Sequence, residues 1–229
     1  MRVEINERCP LPDDPLLAGV ASALDTAGHW AHVVDAGWRV VYMSDELRLS
    51  FGGSKELVPV ELGEHFFGTT ALSLSLTHRF GPNSAEAWRD FFSGAGGLVL
   101  ADTAGGRDEL RILIDPSLRD LVDELTPEDG AVASWSTLGG GVGGRFEVRH
   151  TALRIRDAAG VLRGTVLFGK PSAGMAVLGT MAFQRDGQYL SRAQQVASAG
   201  RRPAAVSYTH LTLPTNRVAG GCRWWGWQE

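Results

Sequence analysis

Residues 30–44 read WAHVVDAGWRVVYMS, and two runs of β-branched and aromatic residues in this stretch flank an Asp-Ala-Gly segment at 35–37. Two such runs separated by a short Asp- and Gly-containing segment predict a β-hairpin. A short helix is expected to follow over 46–50, because either Ser44 or Asp45 can cap its first turn.

Upstream of this hairpin, residues 15–27 carry apolar side chains at helical spacing. Asp14 is a suitable N-cap, and the proline that follows it suits the first helical position. Gly28 is expected to end the helix, since glycine adopts the left-handed conformation of a helix C-terminus.

A second hairpin is predicted downstream, over 145–171. Its apolar residues alternate with charged ones but change phase near Thr151, which predicts a β-bulge there because strand side chains have a period of two. The segment Asp-Ala-Ala-Gly at 157–160 predicts the turn, and 161–168 the partner strand. A glycine run at 139–144 predicts a flexible hairpin loop ahead of the first strand.

The segment between the two hairpins, 61–130, predicts mainly helices, one of them starting at Asp115-Pro116. A short strand is predicted within it over 97–101, and a further helix near the C-terminus over about 187–199. An antiparallel sheet with helices collected on one face is an α+β fold.

Composition excludes several classes of protein. The 229 residues are 44% hydrophobic and 21% charged, with a net charge of −4, and no run of Lys or Arg exceeds two residues. A nucleic-acid-binding surface is therefore not expected, and no apolar stretch is long enough to span a membrane. Cys9 and Cys222 form no ligand spacing, which argues against a disulfide framework or a zinc site and suits a cytoplasmic protein.

Two segments resemble PAS-type sensor domains. Residues 27–52, AGHWAHVVDAGWRVVYMSDELRLSFG, resemble the opening of that fold, and 145–171 resemble its closing hairpin. The resemblance implies a PAS-like antiparallel sheet with a large helical insert and a C-terminal signalling helix. The implied divisions are an N-terminal helix or flank at 1–28, the sensor domain at 29–171 and linker or signalling helices at 172–205.

Residues 105–125 and 169–206 are similar to the N-terminal region of actinobacterial class III adenylate/guanylate cyclases, most specifically in the Gly-Arg-Arg-Pro-Ala-Ala junction at 200–205. This resemblance implies a regulatory module that controls an attached cyclase domain in cyclic-nucleotide signalling. Since class III cyclase sites form between two catalytic domains, it also implies a homodimer.

The similarity stops abruptly at 206. Residues 206–216, VSYTHLTLPTN, resemble the in-frame translation of a transposon adapter used for sequencing libraries, so 206–229 are expected to be an artefactual tail. In the cyclases, the first metal-binding aspartate lies about three residues beyond this junction. It is missing here, and no catalysis is expected of the chain as written.

The candidate ligand-binding residues are Trp38, His65, His78 and Trp135. By the PAS resemblance, the two histidines wall a pocket, where a lone histidine could ligate haem iron but a hydrogen-bonded structural histidine is the favoured alternative. The tryptophans could stack on a planar ligand or simply fill the core. No cofactor is required, no metal site is predicted, and the sequence does not identify a ligand.

Three side chains of the predicted C-terminal helix, Leu190, Ala193 and Ala197, share one face and form the expected dimer seam. Two alternatives to a sensor stay open. One is a dimerisation domain without a ligand, and the other is a small stand-alone enzyme.

Overall fold

The computed structural model describes residues 1–51, 57–71, 84–141 and 144–171. His78 and the predicted features beyond 171, namely the signalling helix with Leu190, Ala193 and Ala197 and the tail, lie outside the described residues. Helices are α1 (Pro15–Ala27), α2 (Asp45–Phe51), α3 (Ser84–Asp102), α4 (Gly106–Leu113) and a 3₁₀ helix (Pro116–Glu124). Strands are β1 (Arg2–Val3), β2 (Ala31–Asp35), β3 (Val40–Met43), β4 (Val60–Glu61), β5 (Val132–Gly141), β6 (Gly144–Arg156) and β7 (Leu162–Pro171).

Five strands form one antiparallel sheet in the order β3-β2-β7-β6-β5, and β1 pairs with β4 in a separate two-stranded sheet. The predicted α+β class with an antiparallel sheet is confirmed. The first hairpin of the sheet, β2–β3, lies beside the last strand, β7, so the two ends of 29–171 meet at the sheet centre.

Helix α1 has the predicted limits. The Asp14 carboxylate accepts hydrogen bonds from the backbone N–H groups of Leu16 (2.9 Å) and Leu17 (3.1 Å), and Gly28 ends the helix in the left-handed region at φ 68°. Gly164 of β7 lies directly beneath the Leu17 side chain, because a Cβ atom built on this glycine would touch it. Helix α1 therefore packs against one face of the sheet, over β7. A Tyr42 hydroxyl bond to the Asp25 carboxylate ties the same helix to β3.

Aspartate side chains also set both predicted turns. Asp35 Oδ1 accepts from the N–H groups of Gly37 and Arg39, at 2.9 Å each, and closes the β2–β3 turn. Asp157 Oδ1 does the same for Ala159 (2.9 Å) and Val161 (3.0 Å) between β6 and β7. Such local bonds make these turns predictable from sequence alone.

Helix α3 packs on the other face of the sheet and is buried along most of its length. The strand predicted at 97–101 is wrong, because these residues lie inside this helix. Its glycines are spacers for the chain packed against it: a Cβ built at Gly94 would lie 2.3 Å from Trp135 Cγ, and one at Gly97 would lie 2.6 Å from the carbonyl oxygen of Thr126. Tertiary packing thus overrides the low helix propensity of glycine.

The bulge predicted near Thr151 is also wrong. Strand β6 pairs with both neighbours without a break at that position, and its pairing with β7 shifts only between Ile155 and Arg156. The phase change arises because β6 turns the buried side chains of Ala152 and Arg154 towards α3, whereas Leu153 is 36% exposed on the opposite face. The helix predicted at Asp115-Pro116 is present, as the 3₁₀ helix.

We expect Gly94→Ala to destabilise the protein by about 1–3 kcal/mol, because the added methyl group overpacks the contact with Trp135. Gly19→Ala is the matched control on α1, since a built Cβ there meets nothing within 4 Å. It should stabilise the helix by roughly 0.5–1 kcal/mol. Urea unfolding measures both changes, and a Gly94→Ala variant as stable as the unchanged protein, or more stable, would refute the spacer role of Gly94.

Candidate functional site

Aromatic rings fill the space between α3 and the sheet. We call this group the aromatic cluster: it comprises Phe66, Phe67, Trp88, Phe91, Phe92, Trp135, His32 and His150, with Trp38 at one end. Neighbouring ring centroids lie 4.6–6.1 Å apart, within the range of favourable aromatic pairs.

The cluster joins two of the residues predicted as ligand contacts. Trp38 contacts Phe67 (6.1 Å between centroids), Phe67 contacts Phe91 (5.8 Å), and Phe91 contacts Trp135 (5.1 Å). Trp135 also stacks on His150, with an interplanar angle of 26°. Trp38 and Trp135 therefore lie at opposite ends of one continuous chain of contacting aromatic rings.

Local backbone geometry explains how each ring reaches the cluster. Trp38 follows the Asp35 turn and has a left-handed backbone conformation, with φ 59°. This conformation directs its indole ring into the core, and the residue is only 1% exposed. Trp88 and Phe91 are three residues apart on α3 and so share one helix face. Trp135 and His150 are cross-strand partners on β5 and β6.

His65, the third predicted residue that the structure describes, is buried beside the cluster. Its Nδ1 accepts a hydrogen bond from the Phe67 N–H (3.3 Å), and its backbone pairs with Arg39. Burial, with a smaller contribution from the Arg39 guanidinium, lowers the pKa of His65 to about 4. The imidazole is thus neutral near pH 7 and holds the backbone of the Phe66–Phe67 segment.

We expect this histidine to weaken the fold on acidification. Its folded pKa of about 4 is below the ordinary 6.5, so the unfolded state takes up a proton first, and stability falls as the pH drops from 6.5 towards 4. Between these two pH values the free energy of unfolding should fall by about 3 kcal/mol. His65→Asn keeps a hydrogen-bond acceptor without the titration, and unfolding free energies at several pH values should show the loss in the wild type only. Parallel pH profiles would refute this prediction.

A buried ion pair borders the Trp38 end of the cluster. The Trp38 indole N–H donates to Asp102 Oδ2 (2.9 Å), and the other carboxylate oxygen of Asp102 accepts from Arg154. The side chains of Asp102 and Arg154 are each 3% exposed. Desolvation raises the pKa of Asp102, although the Trp38 and Arg154 contacts oppose the rise. Arg154 also pairs with the exposed carboxylate of Asp129.

Two buried polar atoms near this pair have no hydrogen-bond partner among the described residues. They are Nε of Arg154 and Oγ1 of Thr165. The two residues are direct cross-strand partners on β6 and β7, and Thr165 is 1% exposed. Buried polar groups normally find a partner, so this position can hold the polar group of a small molecule or an ordered water.

Sequence reasoning missed most of this site. No motif in the sequence singles out Phe66, Phe67 or Phe91, and no local pattern marked Asp102, Arg154 or Thr165 as inward-facing. The only available signal was the alternation on β6, where Arg154 takes the phase of the buried Ala152.

The described residues offer stacking and hydrogen bonding rather than a metal centre. Among them, no group of three His, Cys, Asp or Glu side chains could hold a metal ion. None of the helices in this part of the chain has the length and apolar character that crossing a bilayer requires.

No family model and no curated protein matches the sequence. Among solved structures, the chain is similar to the PAS domain of BvgS from Bordetella pertussis, with 12% identity, coverage of 75% of this chain and 97% of that chain, and a TM-score of 0.40. It is also similar to the phage VqmA–DPO complex, with 14% identity, coverage of 86% and 78%, and a TM-score of 0.35. Likenesses this distant carry no functional argument.

Proposed function

We propose that this chain is a PAS-like sensory regulatory module that binds a small molecule between α3 and the sheet. The observation that carries the proposal is the aromatic cluster. Its Trp38 end is linked through Asp102 to Arg154, and Arg154 and its cross-strand partner Thr165 hold the buried polar atoms without a described partner. An apolar, aromatic lining with a few convergent polar groups is typical of small-molecule sites. The sheet supports the PAS-like part, because the two segments that resemble PAS domains pair directly through β2 and β7.

The proposed ligand has a planar apolar body and a hydroxyl or carbonyl group. The body would stack on the rings of Phe67 or Phe91, and the polar group would bond Thr165 Oγ1 and Arg154 Nε. Insertion of a planar molecule has to move the rings apart, since they contact one another in this structure. Binding would thereby change the packing of α3 on the sheet, which is the kind of two-state change that a regulatory domain needs.

Calorimetric titration of the 229-residue chain with quinoline and 8-hydroxyquinoline tests the site. We expect the hydroxylated probe to bind more tightly. Thr165→Val should reduce its affinity about fivefold to tenfold without changing the affinity for quinoline, while Arg154 Nε keeps part of the preference. Ser93→Ala, on the exposed side of α3, is the matched control. The proposed ligand class would be contradicted if neither probe binds at millimolar concentration. It would also be contradicted if Thr165→Val changes the affinities for the two probes equally.

We further propose that the module is cytoplasmic and regulates a class III cyclase domain that follows in the same polypeptide, with the missing catalytic strand beginning near 206. The support is the resemblance of 105–125 and 169–206 to such cyclases. An independent read of the coding DNA beyond codon 205 should continue into an acidic, metal-binding strand. Recurrence of VSYTHLTLPTN in that read would refute the cyclase link and leave the ligand site untouched.

A dimerisation domain without a ligand is the second candidate, and it is favoured by the mutual contacts of the rings in the cluster. In that case both quinoline probes fail to bind, and Leu190→Glu, in the proposed dimer helix, lowers the dimer fraction measured by sedimentation.

A further inference from the structure

The two edges of the five-stranded sheet differ in how they are protected. At the β3 edge, the Val40 N–H donates to the Glu64 carbonyl (2.9 Å), and the Gly63 N–H donates to the Val40 carbonyl (2.8 Å), so the segment 63–65 covers it. At the other edge, β5 pairs with β6 on one side, and no strand among the described residues pairs with it on the other.

The register of β5 identifies the backbone groups that this open edge presents. The Arg154 N–H donates to the Ala131 carbonyl, so residues 131, 133, 135 and 137 point their backbone groups towards β6. Because hydrogen-bonding direction alternates along an antiparallel strand, the N–H and C=O groups of Val132, Ser134 and Ser136 point outwards.

This edge lacks the features that usually block strand pairing. Over its ten residues, VASWSTLGGG, β5 contains no charged side chain and no proline. Natural proteins place lysine, proline, bulges or short strands at exposed edges to prevent association, and β5 is as long as β7 and has no register shift in its pairing with β6. Val132, Ser134 and Ser136 are all exposed, Val132 by 57%.

We propose that β5 pairs antiparallel with β5 of a second copy of this chain, so that the two sheets join across a two-fold axis. Two-fold antiparallel pairing lets the outward groups of one copy satisfy the same groups of the other. The strand is uncharged, so no like charges oppose one another across the axis, and nothing on it selects a partner of opposite charge. The apolar pair Val132 and Leu153, exposed on one face, would gain contacts there.

Ser136→Pro is a sharp test, because proline removes an N–H that points away from β6 and so leaves the β5–β6 ladder intact. Each dimer would lose two hydrogen bonds, which predicts a dissociation constant raised roughly tenfold or more. Ser136→Lys should have a similar effect by placing like charges across the axis. Ala158→Lys, in the exposed β6–β7 turn, is the charge-matched control and should leave association unchanged.

Sedimentation of the 229-residue chain measures the association, with circular dichroism to show that each variant folds. Hydrogen exchange should show amides 132, 134 and 136 becoming protected as concentration rises, while amides 133, 135 and 137 are protected at all concentrations. A chain that stays monomeric at high micromolar concentration overturns the proposal. So does a dimer that Ser136→Pro leaves intact, and loss of that dimer in Leu190→Glu would instead assign it to the predicted C-terminal helix.

Discussion

Replacing Asp102 by alanine should lower the free energy of unfolding by about 3–5 kcal/mol, the range for breaking a buried ion pair. The substitution leaves the guanidinium of Arg154 inside the protein without its buried counter-ion, and it removes the acceptor of the Trp38 indole N–H. Most of the cost is the penalty of the remaining buried charge and not the strength of the contact itself. Urea unfolding with linear extrapolation measures the change.

Asp129→Ala is the control for this prediction. Asp129 also pairs with Arg154, but its side chain is 75% exposed, so its loss should cost no more than about 1 kcal/mol. The double variant Asp102→Leu/Arg154→Met replaces the pair by apolar side chains and should recover most of the stability lost in Asp102→Ala. Equal costs for the two single variants would show that burial does not govern the contribution of this pair.

Arg48→Met should also lower the free energy of unfolding by about 3–5 kcal/mol. We expect the N-terminal residues to lose their contacts with the rest of the protein. Arg48 is fully buried and donates from Nε to the Val58 carbonyl (2.7 Å), from Nη1 to the Glu7 carbonyl (2.5 Å) and from Nη2 to the Glu4 carbonyl (3.2 Å). Asp45 is its ion-pair partner at 3.4 Å. One side chain thus joins the N-terminal arm, residues 1–9, to the body of the protein.

Cys9 reports on this arm. Burial raises the pKa of its thiol to about 11, so the thiol is protonated and protected in the folded chain. All variants carry Cys222→Ser, so that iodoacetamide can react only with Cys9. The reagent should modify Cys9 slowly when Arg48 is present and much faster when Arg48→Met is added. Arg48→Lys, which keeps the charge but loses the forked set of donors, should be intermediate. Unchanged labelling in Arg48→Met would show that other contacts hold the arm.

The proposed ligand site and the proposed β5 dimer depend on different parts of the sheet. The ligand site lies on the face covered by α3, whereas the dimer uses the edge and the outward groups of Val132, Ser134 and Ser136. Trp135 belongs to β5 and to the aromatic cluster, so a ligand that moves this ring would act on the dimer strand directly. Binding and association should therefore be measured on the same variants.

Local hydrogen bonds explain what could be predicted. Helix α1 and the two turns at 35–37 and 157–160 were predicted correctly because the Asp side chains at their starts bond backbone groups a few residues away. Such bonds need no partner from elsewhere in the chain. The strands of the second hairpin were predicted from a different local signal, the alternation of apolar and charged residues, although the phase change in that alternation led to the wrong bulge near Thr151.

The sequence by itself therefore determined the α+β class, the first helix and the two hairpins, through local hydrogen bonds at helix and turn starts and through patterns of apolar residues along the chain. Only the tertiary structure decided that Gly94 and Gly97 lie in a helix, since their lack of side chains admits Trp135 and the Thr126 carbonyl from distant segments. It likewise decided that Arg154 faces inwards, because a buried guanidinium is tolerable only where Asp102, 52 residues away, supplies its counter-ion. The site depends on these distant partners, and so it could not be found from local patterns.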